Sequence, residues 1–190
     1  MQHFGEGIYR IENFFSRHKE LKDLILNQID TLDFFNAQNN PLKKDDFNSY
    51  DILGNWVDSS NPNLYEILYS LNTQKLEALN LLLNTTHVSQ WEGSEYCGGI
   101  TCYKPGSFWM DHNDLLYLDE EKKMTYSCVY YINQDFEGGN LFFPELKITV
   151  KPIENSLVLL PSHLIHRAEE VISGNKIIST TFFRENKNAN

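Results

Sequence analysis

The chain divides by the spacing of its apolar residues. Across residues 16–29, SRHKELKDLILNQI, Leu21, Leu24, Ile25 and Ile29 fall on one face of a helix, and Ser16 stands where a helix cap belongs. A second helical pattern begins at Asn61-Pro62, a cap followed by a favoured first-turn proline. Leu64, Ile67, Leu68 and Leu71 share one face, which Leu79, Leu82 and Leu83 continue, while Asn72-Thr73 offers a break that would divide the helix in two. Between these patterns, residues 36–60 are rich in Asn, Asp and Ser and show no period. They are expected to form a long loop with one strand over residues 52–57.

After residue 94 the period changes. Short runs rich in Tyr, Phe, Ile, Val and Thr are separated by Pro-Gly, Gly-Gly, Asn and Pro turn signals. The strands expected are 98–104, 107–114, 124–132, 140–143, 147–151, 156–160, 164–171 and 176–184. Eight short antiparallel strands behind a few helices predict an α+β fold built on a jelly-roll, whose interior can hold a small ligand. A chain of 190 residues, 41% hydrophobic and 13% aromatic, without repeats or low-complexity tracts, suits a single domain with a sizeable core. Residues 1–93 are expected to supply mainly helical support and loops, and residues 94–184 the jelly-roll.

Charge narrows the partners. Sixteen basic against 26 acidic residues give a formal charge of -10, which repels phosphate backbones and anionic lipid surfaces. The pairs Lys43-Lys44 and Lys122-Lys123 are too short to reverse this, and the second reads as a solvated turn. Neither nucleic acid nor a membrane is expected as a partner. Three cysteines, Cys97, Cys102 and Cys128, are odd in number and form no Cys-x-x-Cys, so they read as reduced thiols of an intracellular protein. The opening MQHFGEGIYR has no basic segment followed by an apolar one, and no apolar run approaches the ~18 residues of a membrane span. The expected location is the cytoplasm.

The candidate chemistry lies in WMDHNDLLYL, residues 109–118. His112 and Asp114 are two residues apart, so on an extended strand they face one side, while Asp111 alternates away into solvent. Two histidines follow in PSHLIH, residues 161–166, and either His163 or His166 would complete a set of three. Two histidines and a carboxylate on one face of an octahedron, leaving three positions open, are the pattern of non-haem Fe(II) oxygenases.

With their neighbours these residues resemble the 2-oxoglutarate and Fe(II)-dependent dioxygenases, in the prolyl 4-hydroxylase-like branch. That pattern is H-x-D, a distal histidine, and a basic residue farther on, and His112, Asp114, His166 and Lys176 match it. HRAEEVISGNK also carries the branch's valine and glycine between the last two, and the spacing selects His166 over His163, which is left as a loop residue beside the site. SCVYYINQDFEGGNLFFPE is similar to the family's tyrosine-bearing strand, loop and Gly-Gly turn, and YKPGSFWMDHND to its Tyr-x-x-Gly approach to the first ligand. The likeness covers roughly residues 96–184. The chain departs from it at Asn140-Leu141, where many relatives place a threonine or similar polar residue, and at Glu170, where a proline often precedes the valine. Both departures bear on the substrate more than on the chemistry.

The resemblance implies a double-stranded β-helix, a jelly-roll and cupin-like core of about eight antiparallel strands, with N-terminal helices packed on one face. It further implies Fe(II) held by His112, Asp114 and His166, and 2-oxoglutarate as co-substrate with its distal carboxylate on Lys176. Tyr131 and Tyr103 would add hydrogen bonds around that co-substrate, O2 would be consumed, and ascorbate would serve as reductant. An unpaired lysine inside a barrel would otherwise have to lose its charge. Because Tyr130 and Tyr131 alternate, only one can face the cavity; the resemblance makes that Tyr131, with Tyr130, on the strand that carries Cys128, packed beneath the helices. Phe108 and Trp109 read as packing residues.

The activity implied is hydroxylation of an unactivated C–H bond in a peptidyl proline, a free amino acid or another small metabolite, with 2-oxoglutarate converted to succinate. Retention of Asp114 leaves no coordination position for a halide, which favours hydroxylation over halogenation. Two rivals stand beside it. One is a cupin-like hydrolase or isomerase with Zn or Mn at the same three ligands, a chemistry with no use for a buried lysine; the other is a non-catalytic binding barrel. Residues 36–60, 85–97 and 115–123, which would select the substrate, carry no motif, and no feature of the sequence sets an oligomeric state.

Overall fold

A computed structural model of the chain describes residues 1–29, 35–36, 52–56, 61–84, 88–90, 99–115 and 125–185. In chain order its elements are β1 (Gln2–Gly5), β2 (Ile8–Glu12), α1 (His18–Gln28), β3 (Phe35–Asn36), β4 (Ile52–Trp56), α2 (Pro62–Leu83), β5 (Val88–Gln90), β6 (Gly99–Tyr103), β7 (Trp109–His112) and β8 (Tyr126–Tyr131). They continue with β9 (Phe136–Gly138), β10 (Leu141–Phe143), β11 (Ile148–Val150), β12 (Ser156–Pro161), β13 (His166–Ala168), β14 (Val171–Gly174) and β15 (Lys176–Glu185). Cys97, Lys43-Lys44, Lys122-Lys123 and most of the three expected substrate loops lie outside the described residues.

The larger sheet runs β1-β2-β12-β8-β15-β6-β4-β3, with β5 pairing β15, and the smaller runs β11-β10-β13-β7. All these pairs are antiparallel. The eight strands expected from the alternation are β6, β7, β8, β10, β11, β12, β13 and β15, and the chain crosses repeatedly between the two sheets, the winding of a double-stranded β-helix. Two are at most half as long as the pattern suggests. The run 107–114 is strand only over Trp109–His112, and 164–171 yields β13 and then the start of β14, which pairs with β9 in a separate ribbon.

Alternation along the larger sheet sends successive side chains to two different cores. Ile100, Cys102, Cys128, Tyr130, Leu157, Leu159 and Ile177 point outward and pack under Leu21 and Ile25 of α1 and Leu64, Ile67, Leu68, Leu71 and Leu79 of α2. Tyr103, Tyr131, Val158, Leu160 and Ile178 point inward and meet Leu141, Phe143, Val150 and Ala168 of the smaller sheet. Burying each large aliphatic or aromatic side chain contributes roughly 1.5–3 kcal/mol, so both interfaces hold the barrel closed.

Helix α2 is continuous. Asn61 caps it by accepting from Leu64 N–H at 3.4 Å, Pro62 follows, and Asn84 ends it in the left-handed region. The break offered by Asn72-Thr73 does not occur: the helix runs through both residues, their side-chain oxygens are engaged, and only Asn72 Nδ2 is buried without a partner among the described residues. Asn72 accepts from Thr181 Oγ1 at 2.8 Å, and Thr73 Oγ1 donates to the Tyr69 carbonyl one turn back at 3.0 Å. The stripe buried against the sheet also contains Lys75, whose Nζ donates to Ser179 O at 3.3 Å, Ser179 Oγ at 3.1 Å and Thr181 Oγ1 at 2.9 Å.

Ser16 does not cap α1. Arg17 occupies that position without a side-chain cap, and its guanidinium instead bridges Glu20 at 2.8 Å and Glu66 of α2 at 2.6 Å. The approach to the helix is fixed from elsewhere, by Phe14 N–H donating to the Asn155 carbonyl at 3.0 Å and Phe15 N–H to Asn155 Oδ1 at 2.9 Å. The β1-β2 hairpin, which extends the larger sheet past β12, was not anticipated; its signal is the Gly5-Glu6-Gly7 turn, all three residues with positive φ. No helix among the described residues is long and apolar enough to cross a membrane.

Candidate metal and co-substrate site

Strands β7 and β13 are neighbours in the smaller sheet, and their register sets His112 opposite His166 with ring centroids 4.4 Å apart. Each ring donates from Nδ1 to the carbonyl two residues earlier, His112 to Met110 at 2.7 Å and His166 to Leu164 at 2.9 Å. Those bonds leave Nε2 as the free ring nitrogen. Nε2 of His112 lies 3.5 Å from Asp114 Oδ1, and Nε2 of His166 lies 3.5 Å from Asp114 Oδ2. The three donor atoms lie within 4.8 Å of one another, and this is the group of such residues with metal-holding spacing among the described residues.

Asp114 reaches this place by a route the two-residue period does not describe. It lies beyond the end of β7, where Asn113 Oδ1 accepts from Leu115 N–H at 3.2 Å and turns the chain. Its own N–H donates to the Ser162 carbonyl at 2.9 Å, and its carboxylate stands near the Ser127 hydroxyl, whose Oγ is 2.9 Å from Ser162 Oγ. Both serines are buried. Burial works against a charge on Asp114, but the neighbouring His112 and His166 rings and Ser127 outweigh it and hold the carboxyl below its usual range. Burial, aided by His112 and opposed by Asp114, pushes His166 below the ordinary histidine value. An ionised carboxylate and imidazole nitrogens whose lone pairs converge on one space fit a cation.

The other expected residues fall around this centre. His163 is exposed in the turn between β12 and β13 and is not part of the group. Asp111 is exposed and pairs with Arg167 at 3.3 Å. Trp109 packs against the inner core. Tyr130 points to the helices, its hydroxyl 2.7 Å from His18 Nδ1 and 2.9 Å from Asn155 Oδ1, and Cys128 and Cys102 are buried thiols.

Lys176 opens β15 opposite Tyr103 on β6 and is fully enclosed. Its Nζ donates to the Gly139 carbonyl at 2.8 Å and lies 4.6 Å from the Tyr103 ring centroid and 5.9 Å from that of Tyr131. No carboxylate among the described residues pairs with it, and burial lowers its pKa to about 7. The Tyr131 hydroxyl is buried without a hydrogen-bond partner among the described residues. Burial raises the Tyr103 hydroxyl, and the Asp114 charge raises it further, so Tyr103 faces the carboxylate side of the same interior. A buried amine and an orphaned hydroxyl on one cavity wall fit a ligand that brings an anion.

Ser127, Ser162, Gly139 and Lys75 carry structural roles that the sequence reading missed. Only Lys75 had a legible signal, since it continues the Leu64, Ile67, Leu68, Leu71 stripe by one turn. At the two departures from the family pattern, Asn140 donates to Glu169 Oε2 at 3.0 Å, and Glu170 acts through its carbonyl, which accepts from Gly139 N–H at 2.8 Å.

Residues 98–184 match the profile of the 2OG-Fe(II) oxygenase superfamily. A PKHD-type hydroxylase of Sphingopyxis alaskensis is 26% identical over 92 residues, which are 45% of this chain and 42% of that protein. The chain therefore matches under half of that relative's length. Among solved structures, a Trichoplax adhaerens prolyl hydroxylase in complex with a hypoxia inducible factor peptide fragment has a TM-score of 0.72 at 18% identity, over 96% of this chain and 85% of that one. The 2OG complex of a viral collagen prolyl hydroxylase from Paramecium bursaria Chlorella virus has a TM-score of 0.68 at 19% identity, over 95% and 97%. A Pseudomonas putida prolyl-4-hydroxylase has a TM-score of 0.69 at 20% identity, over 95% and 93%. At these identities the structures establish the shared fold.

Proposed function

We propose that this chain, whose residues 98–184 form a 2OG-Fe(II) oxygenase domain of the prolyl 4-hydroxylase-like kind, is an Fe(II)- and 2-oxoglutarate-dependent hydroxylase. The observation that carries the reading is the convergence of His112 Nε2 and His166 Nε2 on Asp114, 3.5 Å in each case, in an interior that also encloses a lysine without a carboxylate partner. In this reading His112, Asp114 and His166 hold the metal, Lys176 receives the distal carboxylate of 2-oxoglutarate, and the Tyr131 and Tyr103 hydroxyls donate hydrogen bonds beside it. Bound Fe(II) with 2-oxoglutarate and O2 supplies the oxidising power to hydroxylate a C–H bond while 2-oxoglutarate becomes succinate and CO2.

The protein's part is placement and exclusion. The Met110 and Leu164 carbonyls keep each imidazole in the tautomer that presents Nε2, Ser127 steadies the carboxylate, and the walls of Phe143, Val158, Leu160 and Ile178 keep water from the reacting groups. We assign residues 94–184 to catalysis and residues 1–93 to its support. The substrate class favoured is a peptidyl proline, supported by the prolyl hydroxylases that share the fold, one of them with a peptide; a free amino acid or small metabolite is the next choice. Ascorbate is the proposed reductant. The formal charge of -10 supports a protein that binds neither nucleic acid nor membranes, and the free thiols of Cys102 and Cys128 support the cytoplasm as its location. A Zn or Mn hydrolase at the same ligands leaves Lys176 without a role.

The test is incubation of a proline-containing peptide with Fe(II), ascorbate, 2-oxoglutarate and isotope-labelled O2, read by mass spectrometry. One oxygen atom from O2 in the product, a gain of about 16 Da for the ordinary isotope, with succinate in near-equal amount, is the expected result. Oxygen taken from water with no succinate formed would overturn the proposal in favour of metal-assisted hydrolysis.

A further inference from the structure

Gly139 follows β9 with a φ of +63°, and its carbonyl is the acceptor for the Lys176 ammonium at 2.8 Å. A Cβ built on this glycine would stand 2.9 Å from Lys176 Cδ, 3.2 Å from Val171 Cγ2 and 3.3 Å from Phe136 Cε2. The lysine stem thus runs across the face of the glycine where a side chain would be. Both ends of this arrangement are anchored. Gly139 N–H donates to the Glu170 carbonyl at 2.8 Å, while Asn133 brackets Lys176, accepting from Ile177 N–H at 2.9 Å and donating to the Asn175 carbonyl at 2.8 Å.

We propose that Gly139 is a positioning residue for co-substrate binding: its carbonyl and its missing side chain together aim the Lys176 ammonium, between the Tyr103 and Tyr131 rings, at the incoming dicarboxylate. The inference rests on the reading of Lys176 as the 2-oxoglutarate anchor, and adds that the anchor is aimed from the turn between β9 and β10. An ammonium has three donors. One is committed to Gly139, so the direction of the other two follows from where that carbonyl stands. Lysine has a long flexible stem, and ordering it before the ligand arrives spares the complex that ordering cost. A methyl group at position 139 would push the stem away from its acceptor, because Val171 and Phe136 close the other sides.

The experiment is calorimetric titration of 2-oxoglutarate into the full chain loaded with Mn(II), a stand-in for Fe(II) that does not turn over. Four variants are compared with the native protein: Gly139→Ala, Lys176→Ala, the two combined, and Gly5→Ala. The last introduces left-handed strain at φ +102° with nothing within 4 Å of its Cβ, and so reports strain alone. Gly139→Asn, a residue type that tolerates this backbone region, carries the same Cβ and replaces the alanine variant if that one does not fold.

Gly139→Ala is expected to weaken 2-oxoglutarate binding by about tenfold or more, leave Mn(II) binding unchanged and, in a parallel Fe(II) turnover assay, raise KM for 2-oxoglutarate while kcat at saturation is retained. The combined variant is expected to bind no more weakly than Lys176→Ala alone, since Gly139 acts through the lysine. Native-like binding by Gly139→Ala beside weakened binding by Lys176→Ala overturns the inference and leaves the anchor reading standing. Loss of Mn(II) binding in Gly139→Ala, an effect that Gly5→Ala reproduces, or losses that add in the combined variant, show a structural role and also overturn it. Native-like binding by Lys176→Ala removes the anchor reading and this inference with it.

Discussion

His112 and His166 are register partners across β7 and β13, and each spends its Nδ1 proton on a carbonyl two residues earlier. The pairing makes a sheet ladder the frame of the site. Neither ring can turn toward or away from the other without giving up its carbonyl, so both Nε2 atoms stay on the Asp114 side.

Replacing His112, Asp114 or His166 by alanine is therefore expected to reduce Mn(II) affinity by more than the ~10–100-fold typical of changes beyond the ligands themselves. The far-UV circular dichroism should stay native, because these residues line the cavity and are absent from both hydrophobic cores. His163→Ala should bind Mn(II) as the native chain does. Calorimetry that found metal loss in His163→Ala and none in His166→Ala would reassign the distal ligand.

Ser127→Ala removes the hydroxyl near the Asp114 carboxylate and leaves Ser162 Oγ without its buried partner. Mn(II) affinity is expected to fall by about 10–100-fold, less than in Asp114→Ala. An affinity equal to that of the native protein would show that the Ser127 hydroxyl does not position the carboxylate.

Co-substrate binding should depend on pH through Lys176. With its pKa lowered to about 7 by burial, the amine is charged in the free protein below that pH and neutral above it. A bound carboxylate favours the ammonium, so above about pH 7 binding must take up a proton, and affinity should fall by up to tenfold per pH unit. Titrations at about pH 6.5 and about pH 8.5, in buffers of different ionisation enthalpy, should reveal proton uptake only at the higher pH. Lys176→Arg, always charged, should flatten the profile.

Fold stability should also rise with pH just above neutrality. Lys75 and Lys176 both have pKa values lowered by burial to about 7, below the ordinary 10.5, so between these values the unfolded chain binds more protons than the folded one. Raising the pH then favours folding, each fully titrating lysine adding at most about 1.4 kcal/mol per pH unit. Above about pH 10 the trend reverses, because burial pushes Cys128 up to about 12 and holds Tyr103, Tyr130 and Tyr131 above their usual range, and these groups ionise first in the unfolded chain. Urea midpoints at about pH 7, 8 and 9 should show the rise, and Lys75→Met should show a shallower one. Equal slopes in the two proteins would mean that Lys75 stays charged in the fold.

Two kinds of information separate at this point. Alternation and helical period are properties of neighbouring residues, so the eight barrel strands, the strand at Ile52–Trp56 and both helices are legible in the chain itself, and with them the fact that Tyr130 and Tyr131 face opposite sides. The spacing H-x-D, distal histidine and lysine likewise singles out residues that the fold gathers. What the period cannot reach is set by pairing between distant segments. Asp114 leaves its strand with its N–H on the Ser162 carbonyl, the ribbon of β9 and β14 divides a run that reads as one strand, and Lys75, placed in the core stripe by the helical period, finds its acceptors on Ser179 and Thr181 of the distant β15. The tautomers of the two histidines and the direction of Lys176 depend in the same way on carbonyls whose positions follow from sheet register. Local pattern determines which face a side chain takes; only the packed structure decides which buried polar groups find a partner, because that satisfaction is a property of pairs brought together by the whole fold.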